Sequence, residues 1–137
     1  MQAKEFLNKI RYIDMMIDCK LEQINDLRDM ITSIGSPLGD KVQASLDPDK
    51  LTIPISKIIE LENEINKDID TLVDLKREAK QLIEKLDDNV EKLILYKRYF
   101  ENKTFEQISV ELNYSWRHIH RLHSSALQNF AKIYNRS

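Results

Sequence analysis

Residues 104–122 read TFEQISVELNYSWRHIHRL, and this stretch decides the fold of the C-terminal part of the chain. Thr104 followed three residues later by Gln107 is a capping-box pair, so a helix starts there. Ile108 and Leu112, at i and i+4, lie on one side of that helix and face inward. Ser109 is small, as needed where two helices approach most closely. Asn113 comes where the turn requires a left-handed residue, which Asn accepts better than most side chains. Ser115 then caps a second helix whose inward positions are Ile119, Leu122, Ala126 and Leu127. The spacing predicts a helix-turn-helix.

Upstream, Asp87-Asp88 place negative charge where the amide dipoles of a further helix favour it. Three short segments result: Val90 to Phe100, Thr104 to Leu112, and Ser115 to about Tyr134, separated by Glu101-Asn102-Lys103 and Asn113-Tyr114. Short helices with tight connections predict a compact trihelical unit, residues 88–137, with Tyr96 and Tyr99 in its core.

Residues 1–87 have a different pattern. Phe6, Ile10, Ile13, Ile17, Leu21, Ile24, Leu27, Ile31 and Ile34 recur at spacings of three and four and form one stripe on one helix. It ends at Gly35-Ser36-Pro37-Leu38-Gly39, which breaks the ladder. Residues 35–53 hold both glycines and two of the three prolines and read as an exposed linker. A second helix is expected from Thr52 to Pro54 onward, with Ile55, Ile58, Leu61, Ile65, Ile69, Leu72, Leu75, Ala79, Leu82 and Leu86 on one side. The predicted class is therefore all-α: a long N-terminal antiparallel helical hairpin (coiled coil), then a C-terminal trihelical helix-turn-helix domain. Two helices alone make a thin core, so the hairpin is expected to self-associate into a homodimer.

Composition narrows the field. Two glycines in 137 residues supply neither a turn-rich β fold nor a phosphate-binding loop. The longest apolar runs, such as Leu93-Ile94-Leu95-Tyr96, are four residues, against roughly 20 for a bilayer span, so no membrane partner is expected. The N-terminus leads directly into a charged periodic segment, and Cys19 is the single cysteine. A cytoplasmic protein without secretory signal or disulfide is the expectation. Glu60, Glu64, Asp68, Asp70 and Asp74 read as a solvated helix face, because catalytic carboxylates need a cleft that raises a pKa. No enzymatic activity and no small-molecule substrate is expected.

The formal charge of −2 divides unevenly. Residues 1–91 carry 13 Lys+Arg and 20 Asp+Glu, a balance of −7, whereas residues 92–137 carry eight Lys+Arg and three Glu, a balance of +5. No acid occurs from Asn113 onward. The exposed positions of the second motif helix, Trp116, Arg117, His118, His120, Arg121, Ser124 and Ser125, together with its cap Ser115, form the candidate DNA-binding set. Cations and hydrogen-bond donors at the front of a helix suit the major groove and its flanking phosphates, which makes double-stranded DNA the expected partner. Trp116 is expected either on sugar and thymine methyl or against Tyr96 or Tyr99. His120 and His123 stand at i and i+3, but no acid or cysteine is close enough in sequence to complete a tetrahedral set, so neither metal nor cofactor is expected.

Leu93-Ile94-Leu95-Tyr96-Lys97-Arg98-Tyr99-Phe100, the motif, and Arg121-Leu122-His123-Ser124-Ser125-Ala126-Leu127 together resemble the promoter-reading fourth region of bacterial sigma factors. The whole chain, including Ile58-Ile59-Glu60-Leu61-Glu62-Asn63-Glu64-Ile65-Asn66, resembles small phage and prophage proteins of Gram-positive bacteria grouped with the ArpU/RinA-type late transcriptional regulators. It differs from the sigma pattern in having Asn113 where glycine is usual, and Trp116 and two histidines where Arg and Glu are commoner. The resemblance implies promoter DNA as target, phage late-gene control as role, and host RNA polymerase as a further partner, touched by the acidic N-terminal region. Two other readings fit the residues: a small terminase-like DNA-packaging subunit assembled as a ring, and a structural coiled-coil adaptor that binds protein only.

Overall fold

The computed structural model describes residues 2–34 and 48–137. They form α1 (Ala3–Ile34), α2 (Pro48–Ile83), α3 (Asn89–Leu95), α4 (Phe105–Leu112) and α5 (Trp116–Arg136), with a turn of π-helix, Tyr96–Phe100, continuing α3. No strand occurs among the described residues, and the fold is all-α as the periodicity requires.

Of the linker expected over 35–53, residues 35–47 lie outside the described residues, and 48–53 are already helical. Helix α2 thus begins at Pro48, earlier than Thr52 to Pro54. A proline costs nothing in a first turn, where its missing N–H has no partner to lose. Pro54 consequently falls inside the helix.

The chain divides into two compact units, residues 14–70 and residues 1–13 with 71–137. The division cuts both long helices instead of falling at residue 87, where the sequence pattern changes. The first turns of α1 and the last turns of α2 carry side chains that pack with the short helices. Phe6 lies parallel to Phe130, with centroids 6.5 Å apart and planes at 9°, and its ring is 5.3 Å from that of Tyr134.

Within residues 14–70 the two helices run antiparallel. Lys20 donates to Asp68 at 2.6 Å and pairs with Glu64 at 3.7 Å, while Arg28 pairs with Glu62 at 3.5 Å, so numbers fall along α2 as they rise along α1. Ile17, Ile24, Leu61 and Ile65 are buried along the seam. Leu21, Ile55 and Ile69, expected in the stripes, are instead 46%, 45% and 41% exposed. On α2 the apolar positions occupy two neighbouring rows, and one helix seam covers only one of them.

In the other unit, each helix start is set by the residue the sequence marks for it. Asp88 caps α3, its carboxylate accepting from the N–H of Val90 at 2.8 Å and of Glu91 at 3.3 Å. Thr104 and Gln107 complete a capping box at α4, with reciprocal bonds of 3.1 and 2.9 Å. Ser115 caps α5 by accepting from the His118 N–H at 3.1 Å. Asn113 is left-handed, at φ 57 and ψ 38. The Tyr114 N–H reaches back to the Ser109 carbonyl at 3.1 Å and the Asn113 N–H to that of Val110 at 3.3 Å, the two bonds of a Schellman stop. Ile94 of α3, Ile108 of α4 and Ile119 of α5 meet in a fully buried cluster flanked by Val90, Phe105, Leu112 and Leu122.

Asn113→Val is expected to lower stability by about 1–2 kcal/mol, because a β-branched residue resists the left-handed region, whereas Asn113→Gly should match or exceed the parent. Urea unfolding followed by circular dichroism measures both.

Candidate nucleic-acid interface

The turn at Asn113 and the cap at Ser115 fix where α5 begins and which of its side chains face outward. Ile119, His123, Ala126 and Phe130, at steps of four, three and four, are its buried row. This row differs from the expected Ile119, Leu122, Ala126 and Leu127: Leu122 and Leu127 are half-buried at its margin, while His123 and Phe130 lie inside. The outward face then carries Arg117, Arg121 and Ser124, all exposed, with Trp116 56% exposed beside them.

The remaining site residues separate. His118 is half-buried, with the edge of its ring against Tyr114 at 4.9 Å, and its Nδ1 lies 3.3 Å from Arg121 Nη2. A guanidinium nitrogen only donates, so Nδ1 is the acceptor in this contact and Arg121 is held to its own helix at one nitrogen. His120 turns toward α4 and lies between Phe105 and Trp116, at 4.5 and 3.9 Å. Its place is in an aromatic layer, not with the outward donors. Trp116 accordingly packs on His120, not on Tyr96 or Tyr99 as one expectation had it. Ser125 also departs from the candidate set: it is half-buried and its hydroxyl donates to Glu91 at 3.0 Å.

Two polar anchors under this face escaped the sequence reading. Glu91 is buried and receives both Ser125 and, at 2.8 Å, the Asn129 amide, so it pins α3 to α5. Its signal was a lone acid within Val90–Leu95 opposite a Ser and an Asn one turn apart. His123 is buried against Tyr99, sharing a 2.8 Å hydrogen bond with its hydroxyl. Burial pushes the Tyr99 phenol up to about 12. Burial first, then the charges of Arg98, Lys4 and His120, lower the His123 imidazole to about 4, so it is neutral at physiological pH. Its stripe position, four residues after Ile119, was the signal.

The acids of the C-terminal segment are largely neutralised. Glu111 pairs with Lys97 at 3.6 Å and with Lys103, and Glu101 pairs with Lys103 at 3.2 Å. These contacts hold the Glu111 carboxyl below, and the Lys103 amine above, their ordinary values. Arg98 is half-buried over the Phe105 ring at 4.2 Å and donates to the Lys103 carbonyl at 3.1 Å. The cations on the outward side of α5 thus have no acid on their own helix. Among the described residues no three His, Cys, Asp or Glu side chains converge as a metal site, and Cys19 is exposed.

A short helix, an Asn-centred Schellman turn and a longer capped helix with a cationic front are the parts of a DNA-reading helix-turn-helix. Residues 82–131 match the family model for Sigma-70, region 4. This sigma region-4-like segment spans α3, the π turn, α4 and most of α5. No curated protein and no solved structure matches the chain. No helix among the described residues is long and apolar enough to cross a membrane.

His123 links the stability of the sigma region-4-like domain to pH. Its folded value near 4 lies below the 6.5 of an unperturbed imidazole, so between those values the unfolded chain binds a proton that the folded chain refuses. The stabilisation is complete above about pH 6.5 and is lost as pH falls toward 4. Thermal unfolding between pH 7.5 and 5 should show a falling midpoint, and His123→Gln should flatten the decline.

Proposed function

We propose that this protein is a non-enzymatic, sequence-specific transcription regulator that reads duplex DNA with the front of α5. The observation that carries this reading is the outward face of α5: Arg117, Arg121 and Ser124 follow a Ser115 cap and a left-handed Asn113, on a helix without a single acid. Arg117 and Arg121 contact base edges or phosphates. Trp116 lies on sugar or a thymine methyl, and Ser115 and Ser124 donate to the backbone. His118 acts at one remove, by holding Arg121. The sigma region-4 match supports promoter DNA as the target class.

The sequence resemblance to ArpU/RinA-type regulators supports the finer assignment to phage or prophage late genes in the cytoplasm of a bacterial host. In this role the chain acts as a homodimer. Its acidic first 91 residues, at −7, offer host RNA polymerase a surface distinct from the basic DNA reader.

Selection of bound fragments from the source genome, followed by titration of the best one, tests the reading. The affinity should fall with salt with a log–log slope near −0.9 per phosphate contact. Arg117→Ala and Arg121→Ala should each cost roughly 1–3 kcal/mol if they touch bases. An affinity that is indifferent to salt and to both substitutions would sink the proposal.

A further inference from the structure

Helix α2 carries a second apolar row that its pairing with α1 leaves exposed. Ile55, Ile59 and Ile69 are 45%, 54% and 41% exposed, and Glu62 and Asn66 stand between them in the same row. Val73 continues the row in the sequence and is also exposed. The successive steps, four, three, four, three and four, are those of a heptad seam, and the five positions from Ile55 to Ile69 lie along one side of the helix. Exposed large apolar residues scattered singly need no explanation, but a row with this period is the pattern of a helix that meets another helix.

The order of residues in the row names that other helix. Turned end for end about position 64, the row maps onto itself: Ile55 falls on Val73, Ile59 on Ile69, and Glu62 on Asn66. A two-fold interface demands this self-complementarity, because each position must suit the position it meets on an identical chain. Read in parallel, the same row would set Glu62 against Glu62 and Asn66 against Asn66, with two like charges facing each other. Read antiparallel, every aliphatic residue meets an aliphatic residue and each carboxylate meets an amide that donates to it. Glu62 already faces Arg28 of its own chain at 3.5 Å through one oxygen, which leaves the other for this contact. A polar pair of this kind inside an apolar seam fixes register at a small cost in stability.

We infer that two copies of this chain dimerise through an antiparallel α2–α2 seam centred on position 64, with Ile59 against Ile69 of the partner subunit. The inference rests on the homodimer reading above and specifies its face, orientation and register.

Light scattering of the DNA-free full chain at micromolar concentration tests it, with circular dichroism as a check on folding. The parent should have the mass of two chains. Ile59→Glu and Ile69→Lys, each at an exposed position, should each give the mass of one chain with unchanged helicity. The double variant Ile59→Glu, Ile69→Lys should return to two, because the antiparallel register brings each new carboxylate to the new ammonium of the other chain. A monomeric or ring-sized parent, single variants that remain dimeric, or a double variant that remains monomeric would each overturn it. DNA binding by a monomeric parent would overturn the seam and leave the DNA-reading proposal standing.

Discussion

The contact between Ile94, Ile108 and Ile119 is the constraint on which the outward face of α5 depends. One isoleucine comes from each of three consecutive helices, and all three are fully buried. Removing such a side chain from water contributes about 1.5–3 kcal/mol, a large part of what holds a domain of this size. The triad also sets direction. With Ile119 turned inward, Arg117 and Arg121, two positions to either side of it, have only the outward side of α5 to occupy. Roughly 50 residues bury too little surface to be robust alone. The unit meets this by recruiting the ends of the long helices, with Phe6 against Phe130 and Tyr134 as the visible contact.

Boundary residues were legible in the sequence because their chemistry is local. Thr104 with Gln107, Asn113 and Ser115 each act within three or four residues, and each is found in the role its spacing implies. What was hidden depends on geometry that spacing does not encode. The π turn at Tyr96–Phe100, where the Glu101 N–H reaches the Tyr96 carbonyl, widens the end of α3 in a way that spacing does not announce. Tyr99 was expected in the core, four residues after Leu95, but its partner His123 and the seat of Arg98 over Phe105 were not. The inward positions of α5 were half right for a related reason: Ile119 and Ala126 mark the row, but a polar His123 inside it becomes intelligible only once the Tyr99 hydroxyl is seen to satisfy it.

The candidate site was legible as a surface and less so residue by residue. A count of charges along the chain located it. Sorting the eight residues required knowing what lies beneath α5, since Ser125 and His120 are as polar as Ser124 and His118. Glu91 draws Ser125 inward, and Phe105 draws His120. The apolar residues of the hairpin posed the opposite difficulty. Ile55 and Ile69 belong to a helical stripe by period, yet a helix with two adjoining apolar rows has two seams, and α1 fills one.

The division of labour on α5 has an energetic basis. Solvent-exposed helices usually gain a few tenths of a kcal/mol from each Glu–Lys pair one turn apart, and α5 has none, because it has no acid. Arg117 and Arg121 stand at i and i+4 as like charges, which costs a similar amount. Apart from its Ser115 cap, α5 is held mainly from the other side, where Ile119, His123, Ala126 and Phe130 are buried and Glu91 receives Ser125 and Asn129. A helix held so firmly from beneath tolerates an outward face that carries cations and no acid. An acid is placed instead where it is useful: at position 91 it faces two neutral donors and ties α5 to α3.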